Sequence, residues 1–309
     1  MKRAVLLGIV LMVTIGLAGL AQEGVGAFIG FRTGVDARAL AMGGAFAAIA
    51  DSYSATYWNP AGLAKAGGPR IGGMNTNKFG QGITFNFLSG TMTIANFAVG
   101  ASFVNSSITG IERIDEEGNV VGTINDNELL LMGSVAMALP GLGYAGGSVK
   151  SYSHTLAEER ANGLGFDAGV LFPGFIPILS VGAAAFDLGG TKITWTTGTV
   201  DVVSGFFKVG AAFTLAELGL TIAADFDFGE EESVLHLGGE FVIAGTPIAV
   251  RGGAVSSAPG EFEFTVGAGL KLGQLGVDFA FLQNRALGNS LVLSAEFVFA
   301  APAAPPPGS

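Results

Sequence analysis

The sequence predicts an all-β protein: a transmembrane antiparallel β-barrel of about 14 strands, with a short helical N-terminal hatch in the lumen. Three observations predict it. Of 309 residues, 50% are hydrophobic, only 13% are charged and 50 are glycine, which is too apolar for an ordinary soluble domain. The apolar residues alternate with a period of two, and charge is confined to one face of each stretch. That is the pattern of strands set between lipid and a lumen. Finally, residues 37–64 are rich in small residues, helix-like and free of alternation, as an element enclosed by such a barrel would be.

Residues 1–21 read as a secretory signal peptide, with an anchor helix as the alternative. Lys2 and Arg3 form the basic start, Ala4–Leu17 the apolar run, and Gly19-Leu20-Ala21 a small-x-small cleavage site. The absence of cysteine excludes a lipoprotein signal and a disulfide framework. Taking Lys2 and Arg3 from the 15 basic residues leaves 13 against 25 acidic ones, a net charge of −12. Phosphate binding needs a basic surface, so nucleic acid is not expected as a partner.

Residues 22–69 form the expected hatch. Leu40, Met42, Phe46 and Ile49 either pack against a barrel wall or line an apolar ligand pocket with Tyr57 and Trp58. The two aromatics have polar edges that need partners when buried. Asn59-Pro60 fixes the chain direction after the helical part, and Gly62 permits a turn.

Residues 70–299 form the expected barrel. Candidate strands are 70–77, 79–88, 94–105, 128–138, 142–155, 163–173, 178–188, 204–215, 219–228, 233–244, 247–256, 261–272, 275–284 and 291–299. Most approach the ten or so residues that a tilted strand needs to cross a bilayer. In the last, Leu291, Leu293, Ala295, Phe297 and Phe299 face lipid, while Val292, Ser294, Glu296 and Val298 face in. Short turns are expected at Ser89-Gly90-Thr91, Pro140-Gly141, Pro173-Gly174, Ala216-Glu217, Ala244-Gly245-Thr246 and Gly273-Gln274. They alternate with longer polar loops at 106–127, 156–162, 189–203, 229–232, 257–260 and 285–290. Loop 106–127 carries Glu112, Asp115, Glu116, Glu117 and Asp126 against Arg113. It reads either as solvated surface or as a loop that admits ligand or binds cations. Residues 300–309 are Pro- and Ala-rich and cannot join a sheet, so they read as a loose periplasmic tail.

Other readings are weaker. Leu129–Val149 is uncharged and long enough to span a bilayer as a helix, but Pro140-Gly141 at its centre favours two strands and a turn. Gly141-x-Gly143-x-x-Gly146 matches a dinucleotide fingerprint, yet the following residues continue as strand and open no helix. His154 and His236 are the only histidines, and no Gly-x-Ser-x-Gly elbow is present. No enzyme activity, metal or cofactor is expected. By phase, His236, Glu240, Arg251, Glu261, Glu263, Lys271, Asp278 and Glu296 point into the lumen. They form either a wall-holding salt-bridge network or a polar path and latch, with Arg38 of the hatch pairing with Glu240 or Glu296.

The hatch and strands together resemble a known group. Ala37-Arg38-Ala39-Leu40-Ala41-Met42-Gly43-Gly44-Ala45-Phe46, Ala50-Asp51 and Tyr57-Trp58-Asn59-Pro60-Ala61-Gly62-Leu63 resemble the PorV/PorQ family of outer-membrane proteins, relatives of the FadL-type long-chain fatty acid transporters. Leu235–Phe241, Val250–Gly253, Phe264–Gly273, Val277–Phe281 and Leu287-Gly288-Asn289 extend the likeness over the whole mature chain. The acidic loop and the Pro-rich tail depart from the pattern. The resemblance implies a fourteen-stranded barrel with a hatch, sitting in the outer membrane among its lipids. It also implies either passage of hydrophobic small molecules, gated by the hatch, or a secretion component that binds exported proteins. A structural barrel without transport is the third expectation.

Overall fold

A computed structural model describes residues 28–229, 233–258 and 261–299 of the protein. The expected signal peptide, residues 22–27 of the hatch and the tail 300–309 lie outside the described residues.

The barrel is closed and has fourteen strands. These are β1 (Arg70–Lys78), β2 (Ile83–Ile94), β3 (Phe97–Ile114), β4 (Val120–Leu139), β5 (Gly143–Leu156), β6 (Glu159–Ile176), β7 (Leu179–Phe186), β10 (Phe206–Leu215), β11 (Leu220–Gly229), β12 (Ser233–Val242), β13 (Ile248–Ala258), β14 (Glu261–Leu272), β15 (Leu275–Leu282) and β16 (Ser290–Val298). Each pairs antiparallel with its neighbours, and β1 closes on β16 from Arg70↔Val298 to Asn77↔Leu291. Two short strands, β8 (Thr191–Trp195) and β9 (Val200–Val203), form an extra hairpin that rests on the upper end of β6. Closure leaves no unpaired edge among the spanning residues, which hydrocarbon would not tolerate.

Alternation sets what each strand presents. Leu291, Leu293, Phe264, Val266 and Ile222 are more than half exposed on the outside, while Ser294, Thr265 and Ala223 on the same strands are buried inside. Three short helices, α1 (Ala37–Ala41), α2 (Ala55–Trp58) and α3 (Gly62–Ala66), fill the lumen near the end where both termini of the barrel lie. The connections at that end are the shorter ones, such as Ala95-Asn96 and Gly273-Gln274. The wall meets the hatch at glycines. A Cβ on Gly182 would lie 2.2 Å from the Ala47 carbonyl oxygen, and one on Gly146 would lie 2.6 Å from the Pro60 carbonyl carbon. The hatch backbone therefore rests directly on wall backbone, which any side chain at these positions would prevent.

Several expected connections are placed differently. Ser89-Gly90-Thr91 lies within β2, paired with Arg70–Gly72; the turns around this strand fall at Phe79–Gly82 and Ala95-Asn96. Gly80 and Gly82 supply positive φ there (67° and 78°), a bend that a Ser-Gly-Thr sequence paired on both sides does not make. Pro173-Gly174 lies within β6, at the register shift between Phe172 and Ile176, where a proline costs no ladder bond. The stretch 106–127 is mostly strand. β3 and β4 pair out to Ile114↔Val120, leaving a tip in which the Asp115 carboxylate accepts the backbone N–H of Glu117 (3.1 Å) and Asn119 (2.8 Å). The loop 156–162 contracts to Ala157-Glu158, and 189–203 contains β8 and β9. In each case polar residues that read as loop keep pairing once a neighbouring strand extends past the bilayer.

Candidate functional site

Above the hatch lies a cavity of about 400 Å3. Its floor is Leu40, Gly43, Gly44, Tyr57 and Trp58, and its roof is a 3-10 turn, Ile29–Thr33, with Phe28 and Phe31 turned inward. Met74, Phe85, Leu130, Met132, Tyr152, Phe186 and Val292 form the walls. The rings pack edge to face, with Phe28 on Tyr152 (5.0 Å) and Tyr57 on Trp58 (5.1 Å).

Polar edges in this space are satisfied. Trp58 Nε1 donates to the Val35 carbonyl (3.0 Å), and the Tyr57 hydroxyl donates to the Phe31 carbonyl. Burial pushes the Tyr57 hydroxyl above its ordinary pKa. Gly34, at φ 91°, lets the chain turn beneath Trp58; a Cβ there would meet the indole at 2.8 Å. Lysines reach the cavity from three strands. Lys78 donates to the Gly30 carbonyl (2.7 Å) and lies 3.5 Å from the centre of the Phe85 ring. Lys150 bridges Asp167 and Asp187, each at 2.9 Å, and Lys208 pairs with Asp227. Their stems keep the lining largely apolar; carboxylates compensate Lys150 and Lys208, whereas Lys78 is held by the Gly30 carbonyl, the Thr33 hydroxyl and the Phe85 ring.

Below the cavity an ionic cluster ties hatch to wall. Arg38 donates to both oxygens of Glu240 (2.8 Å each) and to Asp51 (2.6 Å). Arg251 donates to Glu240 (2.6 Å) and Asp278 (2.7 Å). Burial would raise the Asp51 carboxyl, but the Arg38 guanidinium outweighs it and holds Asp51 below its ordinary pKa. Asp36 behaves oppositely: burial, with the charge of Asp278 adding to it, pushes its pKa up to about 6. Its carboxylate accepts the Ser54 hydroxyl (2.8 Å) and the Arg38 backbone N–H (3.1 Å). Further ties run from the Phe46 and Ala47 N–H groups to Asp225 (2.8 Å each), from His236 Nδ1 to the Gly43 carbonyl (2.7 Å), and from the Tyr53 N–H to Glu296 (2.9 Å).

The structure brings together some of the residues singled out in the sequence and separates others. Leu40, Tyr57 and Trp58 line the cavity. Met42, Phe46 and Ile49 do not: they are buried between hatch and wall, with the Met42 carbonyl against Gly238. Asn59 donates to the Ala47 and Val170 carbonyls, bracing the hatch turn against β6, while Pro60 and Gly62 pack against Gly146 and Ala50. Arg38, Glu240, Arg251 and Asp278 form one cluster. His236 joins the hatch separately, and Glu296 pairs with Arg70 (3.0 Å) rather than Arg38. Lys271 is exposed and takes no part in the network. Sequence reasoning passed over Lys78, Lys150, Lys208 and Asp36. Strand phase already turned Lys150 and Lys208 inward, whereas Lys78 fell just beyond the expected strand 70–77 and Asp36 carried no periodic signal.

No family model matches the chain, and no curated protein matches it. Solved structures do. The toluene transporter TbuX of Ralstonia pickettii aligns with a TM-score of 0.61 at 14% identity, over 86% of this chain and 99% of that one. The CymD monoaromatic hydrocarbon channel gives 0.64 at 14% identity, over 87% and 98%. The toluene transporter TodX of Pseudomonas putida gives 0.58 at 15%, over 91% and 100%. At these identities the likeness establishes the fold, a FadL-like barrel.

Proposed function

We propose that the protein sits in the outer membrane and passes hydrophobic small molecules across it, with the hatch controlling passage. The observation that carries this reading is the aromatic-lined cavity of about 400 Å3 above the hatch. Such a volume suits one small ligand and is typical of ligand sites. The named activities of TbuX, CymD and TodX support a hydrocarbon-like substrate. An incoming molecule leaves water between Phe28, Phe31 and Trp58. Onward passage then requires either release of the hatch, latched by Arg38, or an opening in the wall. Direct binding tests this. Trp58 and Trp195 are the only tryptophans, so Trp195→Phe leaves Trp58 as a reporter on the cavity floor. Toluene is expected to change its emission saturably; an unchanged emission overturns the reading.

The hatch residues 37–63 carry a second reading, a PorV/PorQ-like secretion component. Co-purification of exported proteins with the intact barrel, lost on Trp58→Ala, would favour it.

A further inference from the structure

The hatch is bonded unevenly around the lumen. Toward β11–β16 and β1 its bonds are many, and several are charged. Asp225 accepts the Phe46 and Ala47 N–H groups, Glu240 holds Arg38, and Glu296 accepts the Tyr53 N–H. Arg70 donates to the Asp51, Ala66 and Gly67 carbonyls. Thr265 and His236 bond to Gly43, and Ser294 accepts the Ala37 N–H. The opposite side is sparse. Asn59 donates to the Val170 carbonyl of β6 (3.0 Å), Thr56 Oγ1 meets Ser89 Oγ of β2 (3.5 Å), and the Gly68 N–H reaches Thr93 of β2 (3.2 Å). Among the described residues, no hydrogen bond joins residues 36–69 to β3, β4, β5, β7 or β10.

Against β3 and β4 the contact is apolar and small: Ala50, Ala55 and Leu63 pack on Ala98 and Ala136. The wall under this edge steps down in small residues. Met132 and Lys150 line the cavity. The row beneath them is Gly100↔Ser134↔Ser148, and the next inward row is Ala98↔Ala136↔Gly146, close to the end where the barrel's termini lie. Ser134 and Ser148 bond to each other (2.7 Å), so neither needs the hatch. Ser102, beside Met132 on β3, has a buried Oγ with no hydrogen-bond partner. A seam made only to stay shut would satisfy such an atom.

These differences decide which edge of the hatch can give way. Parting it from β11–β16 strands buried carboxylates and guanidinium groups, which is costly. Parting α2 and α3 from β3–β5 exposes alanine, leucine and glycine surface. A hydrocarbon moving through the gap covers that surface again, apolar against apolar, so little burial is lost while it passes. Gly67 (φ 59°) and Gly68 (φ 67°) join α3 to β1, and a Cβ on Gly68 would meet nothing within 4 Å, which leaves the link room to bend.

We propose that hydrophobic molecules leave the cavity along the inner face of β3–β5, between this wall and the α2–α3 edge of the hatch, while the α1 edge stays tied at Arg38 and Asp225. The proposal rests on the reading that such molecules pass the hatch, and it names the side on which they do so.

The chain has no cysteine, so introduced ones report cleanly. Ser134→Cys on β4 and Ala280→Cys on β15 are each the sixth residue from the same end of their strands, and both are buried. In intact membranes N-ethylmaleimide is expected to label Ser134→Cys about tenfold faster than Ala280→Cys, since local opening sets access, and both should label fully after unfolding. A Cβ on Gly100 would lie 2.7 Å from Thr56 Cγ2, so Thr56→Cys with Gly100→Cys falls within the reach of a disulfide. Oxidation of that pair is expected to bring toluene uptake down to the rate of an empty vector, and a reductant to restore it. Labelling of Ala280→Cys as fast as Ser134→Cys, or uptake that the formed disulfide leaves unchanged, would overturn the proposal. If native chain and reduced pair both fail to take up toluene, the transport reading falls, and the labelling ratio alone decides which edge of the hatch opens.

Discussion

Arg38→Ala removes the guanidinium that joins hatch to wall. Three hydrogen bonds go with it: two to Glu240 and one to Asp51. Breaking a fully buried ion pair costs about 3–5 kcal/mol, because a charge is left unpaired out of water. Here the cost is smaller. The Asp51 side chain is 34% exposed and regains water, and Glu240, at 9%, keeps Arg251 at 2.6 Å. About 2 kcal/mol is the expected loss. Lysine should recover only part of it, since a point charge cannot hold Glu240 in a fork and reach Asp51 together. The assay is urea unfolding in detergent micelles followed by Trp58 emission in a Trp195→Phe background, with limited proteolysis of the hatch under native conditions. Arg38→Ala should lower the midpoint and admit protease to residues 45–60, with Arg38→Lys between it and the wild type. An unchanged midpoint and an unchanged digestion pattern would refute the latch.

The other expectations concern neighbouring contacts. At Gly253 a Cβ would lie 2.2 Å from the Gly43 nitrogen. Gly253→Val should therefore cost about 1–3 kcal/mol and loosen the hatch. Gly239→Ala, which meets nothing nearer than 3.9 Å, should change the unfolding midpoint little. Lys150→Met strands Asp167 and Asp187 and should cost about 3–5 kcal/mol by the same measurement, part of it recovered by adding Asp187→Leu. Asp36 has a folded pKa of about 6 against an ordinary 3.8, so the folded state holds its proton more tightly. Its contribution is present at low pH and is lost as pH rises from 3.8 to about 6, by at most roughly 3 kcal/mol. Asp36→Asn should flatten a stability profile over that window. Asp51, with a lowered pKa, acts in the opposite sense and loses its contribution as pH falls.

Much of the fold was legible because a barrel wall is a periodic object. Once Leu291–Phe299 alternated between lipid and lumen, the same phase placed Asp225, Asp278 and Glu296 inside without any knowledge of neighbours. Boundaries were less legible where chemistry is ambiguous. Ser89-Gly90-Thr91 has turn composition, but pairing on both sides keeps it extended, and residues 106–127 are polar strands that rise beyond lipid. The site was legible only in part. Small residues between 37 and 64 marked the hatch, since only a thin element fits inside fourteen strands. Which of its apolar side chains face the cavity depends on how the hatch rotates in the lumen. That rotation is fixed by contacts with wall residues far along the chain, Phe46 with Asp225, Asn59 with Val170 and Pro60 with Gly146. For this reason Leu40 and Trp58 line the cavity while Met42 and Phe46 pack on the wall.

Transport itself is the most direct test. Cells lacking their own hydrocarbon-permeable barrels would express this chain, or a variant in which Leu130→Trp and Met132→Trp fill the cavity, and accumulation of radiolabelled toluene would be followed over time. Uptake is expected to be faster with the native chain than with an empty vector, and to return to the vector rate with the filled variant present at equal amounts in the outer membrane. Uptake no faster than the vector, or uptake that the filled cavity leaves unchanged, would contradict it.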